Sequence, residues 1–196
     1  MPRHLWYTAS MRSTHYVALL RGINVGGNNL IKMADLKTCL QDSGFPDVTT
    51  YIQSGNILFS SSRTPDWLSR HLQGIITKEF GCTVVVVVKS LQEMKHIILH
   101  APKGFGSEPA AYKYDVIFLK EGVPASEAMR YFSVREGVDA ASAGEGVLYF
   151  RRLTAQLTKT HLNKIIGTPI YKDMTIRNWN TSTKILALME AREASR

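Results

Sequence analysis

Apolar residues along the chain follow two rhythms, and the switches between them mark its elements. The stretch HYVALLRGI (15–23) reads as a strand, and the β-branched run Val84–Val88 within 83–89 predicts a strand buried on both faces. Helical spacing appears at 33–43, stopped by Gly44, at 66–80, closed by Gly81, and at 91–100. Two short strands near 48–52 and 56–60 are joined by Gln53-Ser54-Gly55, a turn-forming stretch that predicts a hairpin. The order is β-α-β-β-α-β with an added helix.

The segment APKGFGSEPAAY (101–112) has two prolines, two glycines and no periodicity, and reads as a linker. The same order then returns. A strand at 113–120 leads to a helix at 125–133, then to a hairpin of 138–142 and 147–152 turning through Gly144-Glu145-Gly146. A helix at 155–166 ended by Gly167, a strand at 173–177 and a helix at 181–192 complete the set. The expected fold is α+β, with duplicated ferredoxin-like β-α-β-β-α-β units and added helices. The first half covers 14–100 and the second 113–196. Residues 1–13 carry Arg3 and Arg12 but lack the apolar stretch of a secretory signal, so they read as a leader outside the fold.

Composition narrows the function classes. A hydrophobic content of 44% with 20% charged residues suits a globular protein with a real core. No apolar run approaches the roughly 20 residues of a membrane span, so no membrane partner is expected. Cys39, placed in the core of an amphipathic helix, and Cys82 form no CxxC pair, which points to a reducing, cytoplasmic setting. The formal net charge of +8 is uneven. Arg151, Arg152, Lys159, Lys164, Lys172, Arg177 and Lys184 fall in one window against a single acid, Asp173. Such a field draws anionic partners, small phosphorylated molecules or nucleic acid, unless it is only a solvated basic face.

Three polar clusters sit against apolar runs: RGINVGGNN (21–29), TYIQSGN (50–56) and RNWNTST (177–183). In the first, Gly22 and Gly27 have P-loop spacing, but Asn28 and Asn29 stand where Lys and Ser or Thr would have to reach phosphates and magnesium. Walker-type hydrolysis is therefore not expected. Turn chemistry explains the glycines and asparagines but leaves Arg21 and Asn24 over. In the second, strand alternation puts Tyr51 and Gln53 on one side, where Tyr51 can stack on a ring or base. In the third, Asn180 or Thr181 reads as an N-cap and Trp179 as core packing. Arg177 then lies beside a helix N-terminus, a pairing that suits a carboxylate or phosphate.

Together with MADLK (33–37), the stretches RGINVGGNN, TYIQSGNILF (50–59) and RNWNTSTKILAL (177–188) resemble the mainly bacterial family catalogued as domain of unknown function 1697, over about residues 14–190. The resemblance implies a duplicated α+β fold in a cytoplasmic bacterial protein. It carries over no activity, substrate or cofactor.

Glu93, His96 and His100 span about 60° of one helix face at 100° per residue and pass the first test for a metal site. No further ligand pattern accompanies them, so a solvated face is the better reading and no metal is expected. His71 and His161 have no partner in sequence. The leading expectation is a binding protein that gathers Arg21, Asn24, Tyr51, Gln53, Ser54, Asn56, Arg177 and Asn178 around an anion site, for a nucleotide or a nucleic-acid phosphate, with no cofactor. Two readings compete with it. One is an enzyme acting on a small phosphorylated or carboxylated substrate, with Tyr51 or Ser54 in proton transfer. The other makes the motifs purely structural, docking the two halves.

Overall fold

Strand β1, Thr14–Arg21, is buried along almost its whole length, and its alternation feeds two different cores. Tyr16, Ala18 and Leu20 point to one and Val17 and Leu19 to the other. The valine run behaves likewise in β4, Val85–Ser90, where Val86 and Val88 pack on one side and Val87 on the other. The computed structural model describes residues 13–24 and 29–195. The segment 25–28, which holds Gly27 and Asn28 of the first cluster, and residues 1–12 of the expected leader lie outside the described residues.

β1 and β4 belong to a four-stranded antiparallel sheet with β2, Thr49–Tyr51, and β3, Asn56–Ser61, in the order β2-β3-β1-β4. Helices α1, Met33–Asp42, and α2, Pro65–Phe80, cover one face through Leu36, Leu40, Leu68, Leu72 and Ile76. Local signals set the ends of these helices. Thr64 accepts from Trp67 N ahead of Pro65 at the start of α2, and Gly81 closes that helix with φ of 64°. Helix α3, Leu91–Leu99, opens on a reciprocal capping box between Ser90 and Glu93.

A second four-stranded antiparallel sheet contains β5, Tyr112–Leu119, β6, Asp139–Gly144, β7, Val147–Leu153, and β8, Met174–Asn178. Its order, β6-β7-β5-β8, matches the first sheet position for position. Helix α4, Ala125–Met129, packs on one face. Helix α5, Trp179–Ala194, and α3 supply Ile185, Met189, Leu91, Met94 and Ile97 to a central core that also takes Val17 and Val87 from the first sheet and Val116 and Tyr149 from the second. The fold is thus α+β. No described helix is long and apolar enough to cross a membrane.

Several expectations need correction. The helix expected at 155–166 is a chain of 3-10 turns, Thr154–Lys159, Leu162–Ile165 and Pro169–Asp173. Asp139 draws the chain out of helical register there, accepting from Thr160 Oγ1 at 2.6 Å and from His161 N at 2.8 Å. The hairpin turn in the first sheet takes four residues, because Tyr51 pairs with Asn56 and Ile52 adopts φ of 52°. The last helix starts at Trp179 with Asn178 as its N-cap, ahead of the expected Asn180 or Thr181. Trp179 is half-buried and packs on the central core, edge-on to Phe105 at 5.1 Å. Cys39 is only half-buried, whereas Cys82 is buried. Burial still pushes the Cys39 thiol up. The segment 101–111 runs through turns that seat Phe105 against the central core.

Candidate functional site

The end of β1, the 52–55 turn and the stretch from Tyr171 to Arg177 meet where the two sheets approach. They enclose a cleft of about 420 Å³ lined by Arg21, Asn24, Gln53, Ser54, Tyr171 and Arg177. One or more residues of all three polar clusters therefore come together. What each one does there differs.

Arg177 is buried, 7% exposed, because β8 turns it away from its own sheet into the first. Its Nε donates to Asn56 Oδ1 at 2.6 Å, Nη1 to Thr175 Oγ1 and Ile176 O, and Nη2 to Leu20 O at 2.6 Å, Ser54 O at 2.9 Å and Gly55 O at 3.2 Å. Every guanidinium nitrogen is thus spent on neutral oxygens, and no carboxylate among the described residues pairs with it. Burial pushes its pKa down to about 10, which leaves it a cation at neutral pH.

Asn24 and Asn56 are also committed to the framework. Asn24 Nδ2 donates to Ile31 O at 2.9 Å and Gln53 O at 3.0 Å, and its Oδ1 accepts from Ile31 N at 2.8 Å. Asn24 sits at φ of 54°, a conformation that asparagine tolerates. Asn56 is fully buried and donates to Tyr51 O at 2.9 Å and Ser54 Oγ at 3.1 Å.

Arg21 is in a different position. Its guanidinium sits over the Tyr171 ring, 3.8 Å from Cζ to centroid, and spends one bond on Met174 O at 3.1 Å. Its other N–H groups have no partner among the described residues. Burial pushes its pKa down, while Tyr171 and Asp173 oppose that shift. Asp173 is itself engaged by Lys120 Nζ at 3.2 Å. The Gln53 side chain is exposed at the rim and makes no hydrogen bond among the described residues.

Two expected site residues face elsewhere. The left-handed Ile52 breaks the alternation that would have placed Tyr51 beside Gln53. Tyr51 instead lines a groove with Thr49, Leu58 and Leu188. Asn178 follows Arg177 on the opposite side of β8, where it caps α5 and donates to Tyr114 O at 3.2 Å. Tyr171 was not singled out from sequence. It follows Pro169 in a stretch without periodicity, and only its stacking with a distant arginine marks it.

The other candidates do not converge on a site. His96 Nε2 meets Glu145 Oε2 at 3.1 Å and stacks on His100 at 3.9 Å, while Glu93 is engaged by Ser90 and Lys89. No cluster of three His, Cys, Asp or Glu among the described residues is placed to hold a metal. His71 stacks on Trp67 at 4.2 Å, and His161 Nδ1 lies 3.1 Å from Ser133 Oγ. The basic window does not form one patch. Arg152 is paired with Asp115 at 2.6 Å and Arg177 is interior, whereas Arg151 lies on the opposite sheet face from Arg152.

The chain belongs to the family described as protein of unknown function, DUF1697, whose model matches residues 13–149. It is similar to the solved structure of a conserved bacterial protein from Streptococcus pneumoniae, at 27% identity and a TM-score of 0.77. That likeness covers 91% of this chain and 99% of the other. Comparison with curated proteins gives no match.

Proposed function

We propose that the protein binds an anionic group in the cleft between its sheets, a phosphate of a nucleotide or nucleic acid or a small carboxylate. The observation that carries this reading is the charge of the lining, which has two guanidinium groups and no carboxylate among the described residues. Arg177 supplies a fixed positive charge that no acid neutralises, and a low-dielectric setting makes an anion placed beside it worth more than in water. Arg21 supplies the donors. Tyr171 holds its guanidinium in place, and its unspent N–H groups suit a bidentate carboxylate or phosphate. Gln53 can orient the ligand from the rim.

Binding is favoured over catalysis at this place because the described residues lining the cleft include no histidine or carboxylate to move a proton, and have Tyr171 beside the arginines. A purely structural reading has one observation of its own, the complete saturation of Arg177, Asn24 and Asn56 within the protein. It leaves the open donors of Arg21 unused. We also read each sheet as one copy of a ferredoxin-like β-α-β-β-α-β unit, supported by their identical strand orders. In the second copy, 3-10 turns stand where the second helix would be. Two free cysteines support a cytoplasmic setting.

The test is a thermal-shift screen of nucleotides, phosphosugars, carboxylates and short RNA and DNA on wild type and Arg21→Ala. A ligand of the native state raises apparent stability by mass action. The reading predicts a hit with wild type that Arg21→Ala loses without losing its fold. No hit, or a hit indifferent to Arg21, defeats it.

A further inference from the structure

The face of the second sheet turned toward the central core is not wholly covered by helices. Across β5 and β7, Tyr114 lies opposite Arg151 and Val116 opposite Tyr149. On β6, Ala140 and Ser142 lie opposite Arg151 and Tyr149. All share one face, since strand positions two apart point the same way. Tyr114 and Tyr149 are buried, and Phe105 stands edge-on to both, at 4.9 Å and 5.3 Å between ring centroids. The small side chains Ala140 and Ser142 of β6 leave space beside these packed rings. The result is a slot of about 180 Å³. At ~30 Å³ per water it has room for roughly six waters, or for one flat ring.

The chemistry of the slot is uneven from floor to mouth. Its depth reaches the half-buried Phe105 beside the buried Tyr114 and Tyr149, where an aromatic guest can meet a ring in edge-to-face or offset contact. Its mouth is cationic. Arg151 is exposed and rests over the Tyr112 ring at 4.7 Å, Lys103 is exposed nearby, and none of the lining residues is acidic. Arg151 has no ion-pair partner among the described residues, unlike its neighbour Arg152. Ser142 adds a hydroxyl that can donate or accept at a ring edge.

We infer that this slot binds a flat aromatic ring bearing an anionic group, the chemistry of a nucleobase with its phosphate. The ring lies against Phe105 and the small side chains of β6, and the phosphate on Arg151. Aromatic residues on the central strands of a four-stranded sheet hold bases in RNA-recognition modules by the same physics. The slot shares no lining residue with the cleft, so the two sites can be tested separately.

The experiment is calorimetric titration of the full chain with adenosine and uridine 5′-monophosphates, adenosine, inorganic phosphate and a short single-stranded RNA. Wild type is compared with Ala140→Leu, Arg151→Gln and Arg21→Ala. Leucine at the half-exposed Ala140 fills the slot from an edge strand, so the fold should persist; Ser142→Leu fills it from the next position if the first variant does not fold. Monophosphates are expected to bind wild type, and a slot-filling variant combined with Arg21→Ala to abolish that binding while keeping the melting temperature of Arg21→Ala alone. Arg151→Gln should weaken the monophosphates about tenfold or more and leave adenosine nearly unchanged, as expected for loss of a charge-assisted hydrogen bond. Arg21→Ala removes binding in the cleft and should leave the slot's share of the binding intact. Tighter binding of RNA than of either monophosphate makes nucleic acid the source of the base, and the reverse makes it free nucleotide. Absence of binding by monophosphates and RNA alike overturns the inference. So does binding that survives filling of the slot in the Arg21→Ala background, and loss of all binding in Arg21→Ala alone assigns the ligand to the cleft.

Discussion

Arg177 Nε donates to Asn56 Oδ1 at 2.6 Å inside the protein, joining positions 121 apart in sequence and tying the last strand of one sheet to the hairpin of the other. The same guanidinium holds the carbonyls of Leu20, Ser54 and Gly55, so it organises the hairpin turn as well as the contact. Arg177→Met should therefore lower stability by about 3 kcal/mol, since several buried oxygens lose their donor at ~1–3 kcal/mol each while relief from burying a cation offsets part of the loss. Asn56→Ala should cost about 2 kcal/mol. In urea unfolding of both single variants and the double variant, the two costs should fall short of additivity by ~1–3 kcal/mol. Additive costs would show that the two side chains act separately.

Gly55, at φ of 75°, lets the turn approach β1 closely. A Cβ there would lie 2.9 Å from Leu20 Cβ and 2.8 Å from Ile23 Cδ1. Gly55→Ala combines positive-φ strain with overpacking and should cost about 2–4 kcal/mol. Gly44→Ala is the matched control. It has φ of 93° but nothing near its Cβ, so it should cost about 1 kcal/mol. Equal losses in the two variants, measured by chemical denaturation, would remove the steric part of this account.

How much of this was legible in the chain follows from the range of the forces involved. The valine strand and the Gly81 stop are local, and each is read from a few neighbouring residues. The 3-10 chain after β7 depends on Asp139 capturing Thr160 and His161 from another strand, so its helical-looking pattern misleads. The clusters around Arg21, Gln53 and Arg177 were visible as polar sequence, but their division of labour was not. An arginine beside a helix start looks ready for a ligand. Its burial against Asn56 is decided by the other half of the chain. Arg21 gains its platform from Tyr171 in the same long-range way.

Asp139 makes stability depend on acid pH. Burial alone would raise its pKa, but hydrogen bonds from Thr160, His161 and Arg135, with the nearby His161 charge, hold it below the ordinary carboxylate value. A depressed carboxylate contributes stability above its unfolded pKa of about 3.9 and loses it as pH falls through the lower folded value. Asp139→Asn should be less stable than wild type at pH 7, and the gap should narrow below pH ~4. Urea midpoints at pH 7, 4 and 2.5 check this, and a gap constant across those values would contradict it.

Tyr149 bears on the alkaline limit. Its hydroxyl donates to Ile97 O at 2.7 Å, joining β7 to a carbonyl near the end of α3. Burial pushes its pKa up to about 12 from the ordinary 10. A phenol with a raised folded pKa contributes stability that is whole below pH ~10 and is lost as pH rises through about 12, because the unfolded chain releases that proton first. Absorbance at the phenolate band should therefore show a late component well above the ordinary 10, together with loss of native structure. Tyr149→Phe should remove that late component and cost about 1 kcal/mol at pH 7, the net worth of one hydrogen bond, with the ring packing retained. If the late component survives in the variant, it belongs to another tyrosine, and Tyr149 does not set the alkaline limit of the fold.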